Sequence, residues 1–260
     1  MSINLLYHDV TQPEADDESG FPGPEAARYK LTQQEFARHL DQIASAVHGL
    51  PISSVTGDSS RGWMMTFDDG GISAATTIAD ELQRRQWRGW FFIATDFINR
   101  PGFCTSDQIR ELHRQGHVIG SHSCSHPERI SSCSPEQLDD EWSRSCAILS
   151  EIVGARVTTA SVPGGFYSSE VARSASRAGI KLLFNSEPTT GEFAVDGCRI
   201  LGRYNVYRGM SARDAASLIA SPLRRWRQSV FWTAKKAAKT VAGPLYKAMR
   251  RRLLQRAYAS

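Results

Sequence analysis

A parallel α/β architecture, closed into a barrel rather than left as an open sheet, is what this sequence predicts. Three observations carry that expectation. Apolar runs of strand length alternate with helical patterns about seven times, the signature of repeated strand–helix units. The 260 residues are 41% hydrophobic, enough for one sizeable core. The chemically unusual residues His8, Asp68, Asp69, His122 and His126 all fall at, or just after, the C-terminal end of an expected strand. A barrel brings all such ends to one rim, whereas an open sheet gathers only those near its switch point.

The elements follow in order. Residues 3–8 (INLLYH) read as the first strand, and 11–28, rich in Pro, Gly and Asp, as a long loop. A helix over 32–48 opens at Thr32, with Glu35 three residues on to complete a capping box. After a shorter loop over 53–62, residues 63–67 form a strand and roughly 73–86 a helix. The run 89–94 (GWFFIA) is a strand. The helix over 105–115 is capped by Thr105 with Gln108, and 117–121 (HVIGS) is a short strand. Ser134, Pro135 and Gln137 open a helix over 134–153, with proline at the first helical position where its missing N–H costs nothing. A strand over 158–163 precedes a helix over 168–178 that stops at Gly179. Strands over 180–184 and 198–207 and a helix over 211–220, starting at Ser211, complete a body assigned to residues 1–222.

The stretch 64–71, MMTFDDGG, places two carboxylates side by side at a strand end. Like charges there repel unless a cation or proton offsets them. His122 and His126 lie four apart in 121–127, SHSCSHP, on a loop that Gly120 and Pro127 fold back at another strand end. Two imidazoles and one carboxylate make a three-ligand set with an open position for water, the plan of a catalytic zinc site. One aspartate of the pair can be the ligand and the other can take a proton from water. In 161–168, SVPGGFYS, the glycines after Pro163 expose backbone N–H groups suited to a developing oxyanion.

The order TFDDG, then HSxxH some fifty residues on, then a strand ending PxG resembles the polysaccharide deacetylase family (NodB homology, carbohydrate esterase family 4) over roughly residues 3–220. The resemblance implies a distorted (β/α)7 barrel, a divalent metal that is usually zinc, and hydrolysis of an acetyl group from an N-acetylated sugar. It places the general base on Asp68, the metal ligands on Asp69, His122 and His126, and the oxyanion and substrate contacts on Gly164 and Tyr167. Two departures stand out. Where the family commonly has an arginine bracing the base, this chain has Ser161, so the brace is missing or comes from elsewhere. The family's late histidine, a general acid, has no counterpart: none of the seven histidines follows His126, and 200–206, ILGRYNV, lies where it belongs. His8, at the end of the first strand on the same rim, is the expected substitute acid, with Asp9 to orient it. His117 reads as structural, and His39, His48 and His113 as solvent-facing helix residues. The departures leave a second function class open, a non-catalytic glycan-binding or scaffold protein on a degenerate deacetylase fold.

Charge is unevenly spread. Residues 223–260 hold eleven Lys or Arg and no acid, leaving 20 basic and 27 acidic residues, a net of −7, over residues 1–222. The segment 223–243 is amphipathic if helical: Leu223, Trp226, Val230, Ala234, Ala237 and Val241 share one face opposite the cations. A basic helical tail over 223–260 lying on an anionic membrane surface is expected, and an acidic body argues against nucleic acid. Five cysteines without CxxC spacing, and the absence of a signal-like N-terminus or an apolar run of spanning length, point to reduced thiols in the cytoplasm. The substrate there is a surface glycan or a lipid- or nucleotide-linked sugar precursor.

Overall fold

A computed structural model describes residues 2–47 and 62–234. The chain runs β1 (Ser2–Tyr7), β2 (Val10–Thr11), α1 (Pro24–Ala27), β3 (Leu31–Thr32) and α2 (Gln33–Ala46). It continues through β4 (Gly62–Phe67), α3 (Thr77–Arg84), β5 (Trp90–Ile93), α4 (Ser106–Arg114), β6 (Val118–Ser121) and α5 (Pro135–Val153). Then come β7 (Thr159–Ser161), α6 (Ser169–Arg177), β8 (Leu182–Phe184), β9 (Glu192–Val195), β10 (Cys198–Leu201), β11 (Tyr204–Asn205) and α7 (Ala212–Ala220). A further helix, α8, spans 222–234.

The main sheet has the order β11-β1-β4-β5-β6-β7-β8-β10-β9 and is parallel except for the β9–β10 pair. Its two ends meet through one piece of chain. β10 pairs with β8, and β11, only two residues later, pairs with β1 on the far side of the sheet. The single strand expected over 198–207 is thus split at Gly202 and Arg203, and its two parts curl the sheet into the expected distorted barrel. The antiparallel β9, absent from the sequence reading, pairs with the outer edge of β10.

Strand alternation sorts the core. Met65, Phe67, Phe91, Ile93 and Ala160 face outward to the helices in one large cluster. Met64, Trp90, Phe92, Phe184 and Leu201 fill the barrel interior. The boxes at Thr32/Glu35, Thr105/Gln108 and Ser134/Gln137 cap α2, α4 and α5 as expected, and Gly154 ends α5 at φ 70°.

Two expectations fail here. His39 is not solvent-facing: it is buried on the inner side of α2, hydrogen-bonded to Met210 O at 2.8 Å and beside the Tyr7 hydroxyl. Asp9 does not orient His8. Its carboxylate accepts from the hydroxyls of Ser19 (2.6 Å) and Ser73 (2.8 Å), and it packs where a Cβ on Gly71 would sit 2.0 Å from it. The second glycine of DDGG is therefore demanded by Asp9. His48, residues 53–61 of the shorter loop, and the tail beyond 234 lie outside the described residues.

The apolar side of α8 does not pack on the barrel. Its other side does: Arg225 donates to Leu218 O and Ile219 O (2.8 Å each), Gln228 donates to Asn205 O (2.8 Å), and Arg224 pairs with Asp214. Leu223, Trp226 and Val230 are exposed. Among the described residues no helix is long and apolar enough to cross a membrane.

Candidate active site

Alternation along β4 turns Met64 and Thr66 into the barrel, so Asp68 comes next on the inner side, at the C-terminal mouth. Asp69 then takes φ 77°, a left-handed conformation unusual for a non-glycine residue, which breaks the alternation so that both carboxylates reach the mouth. The Tyr7–Phe67 register brings His8 level with Asp68. On β6, Ser121 faces outward to Ser145 of α5, so His122 faces in. Glu141 of α5 accepts the backbone N–H groups of Cys124 (2.7 Å) and Ser125 (2.9 Å), folding the loop back to deliver His126, itself at φ 53°.

Asp69, His122 and His126 converge, their ligand atoms all within 4.8 Å of one another. Asp69 Oδ1 lies 3.3 Å from His122 Nε2 and 3.5 Å from His126 Nε2. Two metal bonds of about 2.1 Å at the tetrahedral angle put their ligand atoms roughly 3.4 Å apart, so the set fits a zinc-sized ion. His122 Nδ1 faces Ser161 O at 3.0 Å, an acceptor, which fixes the proton on Nδ1 and leaves the Nε2 lone pair for a metal. Burial would raise the Asp69 carboxyl, but the imidazoles that surround it, His122 first, outweigh burial and hold the Asp69 carboxyl well below the usual carboxylate range. Phe21 seats its ring 4.6 Å from that of His126, and Lys30 holds this loop by donating to the carbonyls of Asp16, Ser19 and Phe21.

Asp68 is held differently. Arg203, fully buried at the split between β10 and β11, donates Nη1 to Oδ1 at 2.7 Å and Nη2 to Oδ2 at 2.8 Å. The Ser161 hydroxyl lies 3.0 Å from both carboxylate oxygens and 2.8 Å from Arg203 Nη2. Arg203 also donates to Asn185 O and lies over the rings of Phe92 and Phe184. Burial pushes the Asp68 carboxyl up, and the Arg203 guanidinium, together with the neighbouring imidazoles, more than reverses it, keeping the group charged. The brace left open at Ser161 is therefore Arg203, which lies within ILGRYNV. The one signal for it in the sequence is an arginine inside an apolar run, a burial that needs a partner.

The other expected residues have different surroundings. His8 is half-buried, its ring 4.8 Å from that of Tyr29, with Nδ1 buried and unpartnered in the protein. Gly164 is exposed in the turn after β7 at φ 60°. Tyr167 packs edge-on to Phe193, its hydroxyl buried without a protein partner. His117 is structural: buried, it accepts the Gly89 N–H at 3.0 Å.

A family model described as polysaccharide deacetylase matches residues 56–183. YxkH of Bacillus subtilis, which carries the polysaccharide deacetylase name, is 26% identical over 226 residues, 84% of this chain and 75% of that protein. A chitooligosaccharide deacetylase of Bradyrhizobium is 30% identical over 123 residues, 46% of this chain and 53% of its own length. A Bacillus gellan lyase matches at 30% identity over 115 residues, 44% of this chain and only 4% of that protein, so the chain spans a small part of some relatives. Among solved structures, the Streptococcus pyogenes deacetylase PplD, in complex with acetate, shares the fold at a TM-score of 0.68 and 18% identity, over 84% of this chain and 97% of that one.

Proposed function

Since this chain belongs to the polysaccharide deacetylase family, we propose that it hydrolyses the acetamide of an N-acetylated sugar, releasing acetate and a free amine. The observation that carries this reading is the pairing of a braced, ionised Asp68 with the adjacent Asp69, His122 and His126 ligand set. A divalent metal, zinc by its donor set, would be held by those three residues, polarising the acetamide carbonyl and making water acidic enough to ionise. Asp68 takes the proton of the attacking water. Arg203 and Ser161 fix the angle of its carboxylate and leave lone-pair capacity for that proton. The Gly164 N–H meets the oxyanion that develops on the carbonyl. His8, beside Asp68 on the neighbouring strand, gives a proton to the leaving amine. Tyr167 borders the sugar.

The substrate is a surface glycan or a lipid- or nucleotide-linked precursor. All five cysteines are free thiols, which suits a reducing compartment and hence the cytoplasmic side. The test is acetate release from N-acetylglucosamine oligosaccharides and from lipid- and nucleotide-linked N-acetyl sugars by the zinc-loaded chain. Turnover abolished in Asp68→Asn supports the reading. Binding of these sugars with no acetate released by the loaded chain establishes the non-catalytic glycan-binding alternative instead.

A further inference from the structure

Among the described residues, five large apolar side chains are exposed, and four of them lie on α8: Leu223, Trp226, Val230 and Phe231. Trp226 is 61% and Phe231 67% exposed. Such clustering within nine residues is not the scattered exposure ordinary on a soluble surface. The helix is held in this orientation through Arg225 and Gln228, so the apolar face is presented rather than left over. Between α8 and the body lies a cavity of about 260 Å³ whose lining includes Arg28, Arg224 and Arg227 with Tyr29, Tyr207 and Trp232, and no carboxylate. Phe231 belongs both to that lining and to the exposed apolar face.

We propose that α8 and this cavity are a docking surface for an anionic phospholipid bilayer, with the apolar side chains entering the interface and the arginine-lined cavity taking a headgroup phosphate. Charge selects the occupant. Residues 235–260 carry eight further Lys or Arg and no acid, which adds to the positive charge of the arginines beside the face. An anionic surface neutralises both, while tryptophan at the edge of a basic helix suits the headgroup region. The cavity also adjoins the candidate site. Tyr29, in its lining, has its ring 4.8 Å from that of His8. A bilayer seated here puts the barrel mouth beside lipid, which makes a lipid-linked N-acetyl sugar the favoured substrate. That substrate assignment rests on the deacetylase reading, whereas the docking does not.

The test uses the full chain and sedimentation with phosphatidylcholine vesicles, with and without phosphatidylglycerol. Zinc-loaded and metal-stripped protein should both sediment with the anionic vesicles and not with the neutral ones. This separates docking from the fate of the catalytic reading. Trp226→Ser with Phe231→Ser, both exposed and so compatible with an unchanged melting temperature, should weaken binding by tenfold or more. Arg28→Gln with Arg227→Gln should reduce the preference for anionic lipid and flatten its salt dependence. Inorganic phosphate at matched ionic strength should not release the chain. Several results would each overturn the assignment: equal binding to neutral vesicles, unchanged binding in the Trp226/Phe231 variant, release by inorganic phosphate, or a dimer that this variant dissolves.

Discussion

Arg203 grips both carboxylate oxygens of Asp68 across 135 residues of sequence, at 2.7 and 2.8 Å, with neither partner open to solvent. A fork of this kind fixes direction as well as charge, because two parallel N–H donors determine the plane of the carboxylate. Arg203→Gln leaves Asp68 a buried charge without its counter-ion, which should destabilise the fold by roughly 3–5 kcal/mol. Arg203→Lys restores the charge but not the fork. It should recover melting temperature more fully than turnover, and a lysine variant equal to the parent in both would show that orientation is irrelevant.

Asp68→Asn should retain the metal and lose turnover by about 10²-fold or more, the expected loss of a general base. Metal content by plasma emission, set beside initial rates, checks this. Loss of metal in this variant would exchange the roles of Asp68 and Asp69.

The ligand set makes a matching prediction. The chain should hold about one zinc ion, and His122→Ala or Asp69→Ala should reduce that to a small fraction with the fold retained. Chelation should abolish acetate release and added zinc should restore it. Stoichiometric zinc in both variants would place the ion elsewhere.

His8→Ala should lower kcat by about 10²-fold with zinc content unchanged, the usual scale for a removed general acid. A substrate with a better leaving group should lose less. An equal loss on both substrates would make His8 a binding residue rather than an acid.

His117 predicts a pH dependence of stability. Burial pushes its imidazole down to about 4, while the unfolded chain keeps the ordinary value near 6.5. Between those values the unfolded state binds the extra proton. Stability is therefore complete above about pH 6.5 and falls as pH drops toward 4, by up to about 3 kcal/mol. Urea titrations of the parent and of His117→Gln, which cannot take up that proton, should show a shallower pH slope in the variant. Parallel slopes would assign the acid sensitivity to other groups.

How much of this was legible in the sequence depends on the range over which each feature is determined. Capping boxes, the proline at the start of α5 and the strand ends bearing Asp68, Asp69, His122 and His126 are written within a few residues, and they appear where expected. The burial of His39 was not legible, because which face of α2 turns inward depends on Met210 and Tyr7 from distant segments. The split of 198–207 was hidden for a similar reason. Strand propensity does not say that two halves of one run pair with opposite ends of a sheet. The Arg203 brace escaped because a motif pattern expects it on β7, whereas the barrel interior accepts a guanidinium from any strand that can aim it at Asp68. The outward turn of the apolar side of α8 came from the hydrogen bonds of Arg225 and Gln228, which no helical-face pattern records.

The segment that joins β8 to β1 also sets a timetable. Asp68, Asp69, His122 and His126 all leave the ribosome before it, and Arg203 arrives with the residues that shut the ring. A half-made chain therefore has Asp69, His122 and His126 but no counter-ion for the buried Asp68. Contacts this far apart in sequence are among the last to form, since their loop-closure entropy must be overcome first. Completion of the ring and pairing of the buried Asp68 carboxylate thus become one event.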